Sequence, residues 1–272
     1  MTRTWYRIAL GHASRPPVVV AAAGEHMGVA VAAAERHTPG AFAIAAEPAA
    51  DSDIPLGESL GKSTIVELGA AAGVPVFRWP VGALPQLSRA AAAAGARRGW
   101  QVRPHASLIV IEAQTEADQL TDLFMGMIER LPSADNLEVR IQDHFEDAGR
   151  TEVWLTSRID ARRILRFLDD HDDELFGNGH LELGVYIRAH KATLRLSQHK
   201  TVVWVGEDHA LATELEQWLK ELGVPRVAEL PTVERGAHHH FRTASGRDRK
   251  KLGDELYKQR LRKVDSLKRS GA

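Results

Sequence analysis

Imidazole is abundant in this chain and arrives in clusters that could do chemistry. Thirteen histidines are present and no cysteine, which excludes disulfides, zinc–thiolate sites, Fe–S ligation and thiol nucleophiles. His238-His239-His240 is the densest run. In an extended segment successive side chains alternate direction, so three adjacent imidazoles cannot all face one ion. Metal sites also need ligands at helical or cross-strand spacing and partners that orient them. No metal is expected here. Asp143-His144-Phe145-Glu146-Asp147 and Asp169-Asp170-His171-Asp172-Asp173-Glu174 mix histidine with carboxylates. Neither has the midway glycine and terminal glutamate of a calcium loop. The first is expected as an exposed turn and the second as a solvated helix face.

Hydroxyl chemistry finds little footing. Ser63, Ser157 and Ser197 occur without a G-x-S-x-G elbow. His144 and Asp143 are not a dyad by adjacency, because neighbours on a strand point to opposite faces. Gly57-Glu58-Ser59-Leu60-Gly61-Lys62-Ser63-Thr64 mimics a phosphate-binding loop, yet only three residues separate its glycines. Such a loop needs four, because its length sets how the backbone N–H groups encircle the phosphates. What survives is a helix start at Gly61, Lys62 and Ser63, where an anion would be welcome. No catalytic residue and no cofactor is assigned.

Charge is distributed unevenly. From Arg235 onward there are twelve Lys/Arg against four Asp/Glu, a net of +8, leaving 23 basic and 32 acidic residues before it. A basic end on an acidic body is a statement about partners. Arg247, Arg249, Lys250 and Lys251 cluster, followed by Lys258, Arg260, Arg262 and Lys263. Leu256 and Leu261, with Leu252, Tyr257, Val264 and Leu267, trace an apolar face. Asp254, Glu255 and Asp265 dilute the polar face, so the segment fits a protein surface better than phosphate. The acidic patch Asp169, Asp170, Asp172, Asp173 and Glu174 lies in the latter half of a predicted helix, where the macrodipole disfavours it. It is a docking candidate for a basic partner, the chain's own tail included.

The elements that would position these groups follow from periodicity. Residues 5–10, 18–22 and 41–46 read as strands, 25–37 as a helix, 59–72 as a helix, 74–79 as a strand and 86–98 as an alanine-rich helix. They suggest a small α/β module over residues 1–100. Residues 107–111 suit a strand buried on both faces. A helix opened by Thr115 carries Leu120, Leu123, Phe124, Met127, Ile128 and Leu131 at three/four spacing. Alternation over 137–142 and 181–187, a strand at 151–156, and a helix capped by Asp160 and ending near Gly177 complete a β-α-β-β-α-β order. A ferredoxin-like α+β module over 106–226, with an extra hairpin and helix, is therefore expected. A linker over 227–246 and a basic amphipathic helix over 247–269 follow. No run approaches the ~20 apolar residues of a membrane span, and the expected setting is cytoplasmic.

The expectation for function is a non-enzymatic binding or adaptor protein whose tail docks on an acidic or apolar protein surface, with nucleic acid as the other partner class. The alternative is a nucleotide- or phosphate-dependent enzyme using the helix start at Gly61-Lys62. A structural subunit that self-assembles is the third reading.

Overall fold

The computed structural model describes residues 3–54, 65–105, 107–145 and 150–264. The chain is a mixed α and β fold. Strands β1 (Thr4–His12), β2 (Val18–Gly24), β3 (Ala41–Pro48) and β4 (Ile65–Ala70) make an antiparallel sheet in the order β3-β1-β2-β4. Helix α1 (Met27–His37) lies on it, burying Met27, Ala30, Val31 and Ala34 with Ile8, Leu10, Val20 and Ala22. Small residues on β2 and α1 let the two backbones approach closely.

Four expectations fail in this region. Residues 65–70 form a strand rather than the end of a helix, because Ile65, Val66 and Glu67 pair with β2. That pairing overrides the helix-forming composition. Residues 74–79 form no strand, and the alanine-rich stretch is a 3-10 segment, Leu87–Ala93. Alternating strands and helices suggested an α/β module, yet this sheet is antiparallel throughout. The phosphate-binding candidate Gly61, Lys62 and Ser63 lies outside the described residues.

Strand β5 (Ala83–Pro85) leads into the second sheet. That sheet has eight strands in the order β14-β9-β8-β10-β11-β12-β7-β6. They are β6 (Gly99–His105), β7 (Leu108–Gln114), β8 (Asn136–Ile141), β9 (Glu152–Leu155), β10 (Leu181–Ile187), β11 (Ala192–Leu196), β12 (Val202–Gly206) and β14 (Arg262–Val264). Helices α2 (Leu120–Arg130), α3 (Ala161–Asp170), α4 (Asp172–Phe176), α5 (His209–Glu221) and α6 (Arg249–Lys258) contribute to its core. Leu137, Val139 and Ile141 meet Leu181, Leu183 and Val185, with Phe124, Met127, Ile164, Leu168 and Leu215 from the helices. Asp160 caps α3 as expected, accepting from the Arg163 N–H at 3.0 Å.

The element order is the expected one, but the strands are not arranged in the ferredoxin manner. β7 pairs with β6 and β12, while β8 sits between β9 and β10. The hairpins β10–β11 and β11–β12 fill the space between them. Strand β7 is also buried mainly on one face, since Leu108, Val110 and Glu112 stay partly exposed while Ile109, Ile111 and Ala113 pack on the core. An antiparallel sheet can leave a face to solvent.

The stretch expected as a linker is built into the fold. Leu230, Val233 and Phe241 are buried, and β13 (His238–His240) pairs antiparallel with β5. The tail is docked as well. Leu252, Leu256 and Leu261 join the core of the large sheet, and α6 ends at Lys258, after which β14 pairs with β9. Gly253 lets α6 lie against Trp154, whose ring is 3.3 Å from where a Cβ would stand. Among the described residues no helix is long and apolar enough to cross a membrane.

Candidate metal centre

Four segments remote in sequence meet at one cluster of imidazoles. The first is β13, whose place is set by β5 on one side and by residues 178–180 on the other. His239 lies opposite Leu84 and His240 opposite Ala83, while Phe241 N–H donates to Gly82 O at 2.9 Å. Gly179 N–H in turn donates to Phe241 O at 2.9 Å. A Cβ on Gly179 would stand 1.8 Å from Gly82 O, so this crossing of two backbones admits only glycine. Strand alternation sends His238 and His240 to one face and His239 to the other.

The second segment is the tight turn between β11 and β12, closed by Ser197 N–H to Thr201 O and Lys200 N–H to Ser197 O, both 2.9 Å. Lys200 sits there in the left-handed region at φ +62°. Its side chain runs inward, only 1% of the residue being exposed, and Nζ donates to Asn178 O at 2.7 Å. Burial pushes this amine down to about 7. The anchor fixes the turn against residues 178–180 and so places His199. The third and fourth segments bring His144, after β8, and His180, before β10, to the same cluster. The His144 ring lies 4.9 Å from His240 and 5.1 Å from His180.

His199, His238 and His240 each bring one ring nitrogen within 4.8 Å of the others. His238 Nδ1 is 2.7 Å from Gly236 O, and His240 Nδ1 is 2.6 Å from Gly179 O. A carbonyl only accepts, so both Nδ1 atoms carry the proton and both Nε2 atoms present lone pairs. Those two Nε2 atoms stand 3.2 Å apart. Two lone pairs so placed need a cation between them. Burial, reinforced by the neighbouring imidazoles, lowers His240 to about 3 and His199 to about 4, so neither of these two rings readily takes a proton near neutrality. A metal ion suits the geometry: two Zn–N arms of ~2.0–2.1 Å at a tetrahedral angle span roughly 3.3 Å. His199 Nδ1 faces Glu234 Oε2 at 3.6 Å, leaving its Nε2 for the ion. Backbone carbonyl, backbone carbonyl and carboxylate are the partners that orient metal-binding imidazoles.

His180 stacks on Phe145 at 4.7 Å, and its Nδ1 is buried without a hydrogen-bond partner among the described residues. Burial holds it at about 3. A histidine whose folded pKa is depressed below 6.5 contributes its full stability above 6.5. That contribution is lost as pH falls toward the folded value, because the unfolded chain takes up protons the native state refuses. His180, His199 and His240 set a window from about 6.5 down to 3–4. Between pH 7 and pH 5 the metal-free protein is expected to lose at least ~2 kcal/mol. Urea midpoints at the two pH values check this, and equal midpoints would contradict the buried neutral state.

The other sequence-selected residues lie elsewhere. The acidic patch does not form one helix face, since the helix breaks at His171 and Asp172, Asp173 and Glu174 open α4. There they meet the positive end of a helix rather than the negative one. Glu174 is buried and takes Arg247, Nη1 to Oε2 at 3.0 Å, so the tail docks on the patch through this pair. Arg249 is drawn in by Gln142 O at 2.8 Å and Glu152 at 3.4 Å. Lys263 also pairs with Glu152, at 3.0 Å. Lys251 and Lys258 pair with Asp248 and Glu255 within the tail itself. Lys250, Arg260 and Arg262 stay exposed. Asp143 and His144, set aside as a dyad, do approach, Oδ1 to Nδ1 at 3.4 Å, because they sit in a turn and not on a strand.

Sequence reasoning missed the histidine centre. The local premise held, since His239 does turn away, but i and i+2 on a strand share a face and a third ligand arrived from another hairpin. Comparison with known proteins finds no family model, no curated protein and no solved structure that matches this chain.

Proposed function

We propose that this protein binds a zinc-class divalent ion through His199, His238 and His240 and uses it to activate water. The observation that carries the reading is the pair of oriented Nε2 atoms facing each other at 3.2 Å. An all-imidazole ligand set favours zinc and its late first-row neighbours over calcium or magnesium. Three protein ligands leave a position open, the pattern of catalytic rather than structural zinc. Bound there, such an ion would lower the pKa of a water toward 7. His144, exposed and next to Asp143, has its ring 4.9 Å from that of His240. Metal analysis and cobalt spectroscopy of the purified protein and of the His238→Ala and His240→Ala variants test the reading.

An adaptor role is the second reading. Its original support, a basic amphipathic tail, is weakened by the burial of Leu256 and Leu261 and by the pairing of Arg247, Arg249 and Lys263 within the chain. What favours it still is the exposed basic edge at Arg260 and Arg262.

A further inference from the structure

A second site, independent of the histidines, lies between α3 and the turn joining α6 to β14. A groove of about 290 Å³ is lined there by Arg163 and Arg166 from α3, Arg260 from the turn, and the hydroxyl residues Thr156 and Ser157. The three guanidinium groups are in no hydrogen bond or ion pair among the described residues. Elsewhere the tail's arginines Arg247 and Arg249 are matched to carboxylates. Asp170, four residues from Arg166, is the carboxylate on the lining, and it too leaves the arginine unpaired.

Arg260 supplies the sharper clue. Helix α6 closes in a Schellman motif: Leu261 N–H donates to Leu256 O and Arg260 N–H to Tyr257 O, both at 3.0 Å. The motif puts residue 260 in the left-handed region, at φ +66°. Glycine is the usual occupant, because any side chain there is strained. The chain keeps an arginine in this position, and the position lines the groove. Strain retained at a lining residue points to use of its side chain.

We propose that this groove binds a phosphate group carried by a ligand. Guanidinium forks match phosphate oxygens in pairs, and the Thr156 hydroxyl, which accepts Leu137 N–H at 3.0 Å, keeps its own proton to donate. Phe167, the aromatic on the lining, is already stacked on His171 at 4.7 Å. The groove therefore offers charge and hydroxyls rather than a face for base stacking, and recognition falls on the phosphate.

The test uses the full chain with two probes, inorganic phosphate and a labelled single-stranded oligonucleotide. Saturable binding of phosphate with no gain for the oligonucleotide identifies a small phosphorylated ligand. Tighter oligonucleotide binding, with a log–log salt slope near −2 for three neutralised phosphates, identifies a nucleic-acid backbone. Either outcome supports the site when the Arg163→Glu/Arg166→Glu variant binds at least tenfold more weakly. Arg260→Gly separates function from folding: it should melt no lower than the parent and still lose at least fivefold in affinity. The proposal is overturned if neither probe saturates, if Arg260→Gly binds like the parent, or if polyglutamate competes as well as the phosphate probes.

Discussion

Ending the chain at Gly246 is expected to unfold the region built on the eight-stranded sheet. The deletion removes Leu252, Leu256 and Leu261, each at most 2% exposed and packed in that core. Each buried leucine lost to a cavity costs ~2–5 kcal/mol, and three together match or exceed the ~5–15 kcal/mol that holds a typical domain. The deletion also strips Arg247 from Glu174, leaving a buried carboxylate without its charge partner. Near-UV circular dichroism and urea titration of the truncated protein check this. A cooperative transition at the parent's midpoint would show that the tail is an appendage. The milder Leu256→Ala should retain the fold and lower the Tm by roughly 5–15 °C, from a loss of ~2–5 kcal/mol in a chain of this size.

The second large effect is metal dependence. Zinc at a hundred times its Kd should stabilise the native protein by ~2.7 kcal/mol, a Tm rise of roughly 5–10 °C. His240→Ala should abolish the rise and weaken cobalt affinity by at least ~100-fold, since even partners of ligands contribute 10–100-fold. The remaining pair, His199 and His238, keeps its orienting groups but lacks the close Nε2 neighbour. Cobalt absorption of the parent should show the intense visible bands of a tetrahedral site, absent in the variant. Failure of the parent to take up one equivalent of metal at micromolar protein would end the metal reading. His239→Ala is the internal control, because that ring turns to the opposite face of β13 and should leave the affinity unchanged.

Local order was legible in the sequence wherever one residue's chemistry decided it. Asp160 reads as a cap and caps α3, and the alternation Leu181, Leu183, Val185 reads as a strand with one buried face and is one. Gly223 closes α5 in the left-handed region, as a terminal glycine should. Residues 65–70 went the other way: their composition suits a helix, and only pairing with β2, remote in the chain, makes them a strand. Strand neighbours were likewise hidden. β7 lies beside β12, with Ile111 opposite Trp204 some 93 residues on, and no local pattern carries that information. The histidine centre failed for the same reason. His199 and His240 are 41 residues apart, and their approach depends on Lys200 being drawn inward and on Gly82 and Gly179 crossing. The usable local signal was the i, i+2 spacing of His238 and His240.

The pairing of β13 with β5 joins residues 155 positions apart, His239 opposite Leu84. Contacts that close so long a loop form late, after local hairpins and helices have condensed. Two of the three metal ligands sit on that strand and His199 arrives from another hairpin, so a partly folded chain lacks the complete three-imidazole site. Bound metal would then act on the escape from the native state and not on the approach to it, slowing unfolding while leaving the folding rate untouched. The ion would serve as a clock on the finished molecule's lifetime rather than as a template for making it.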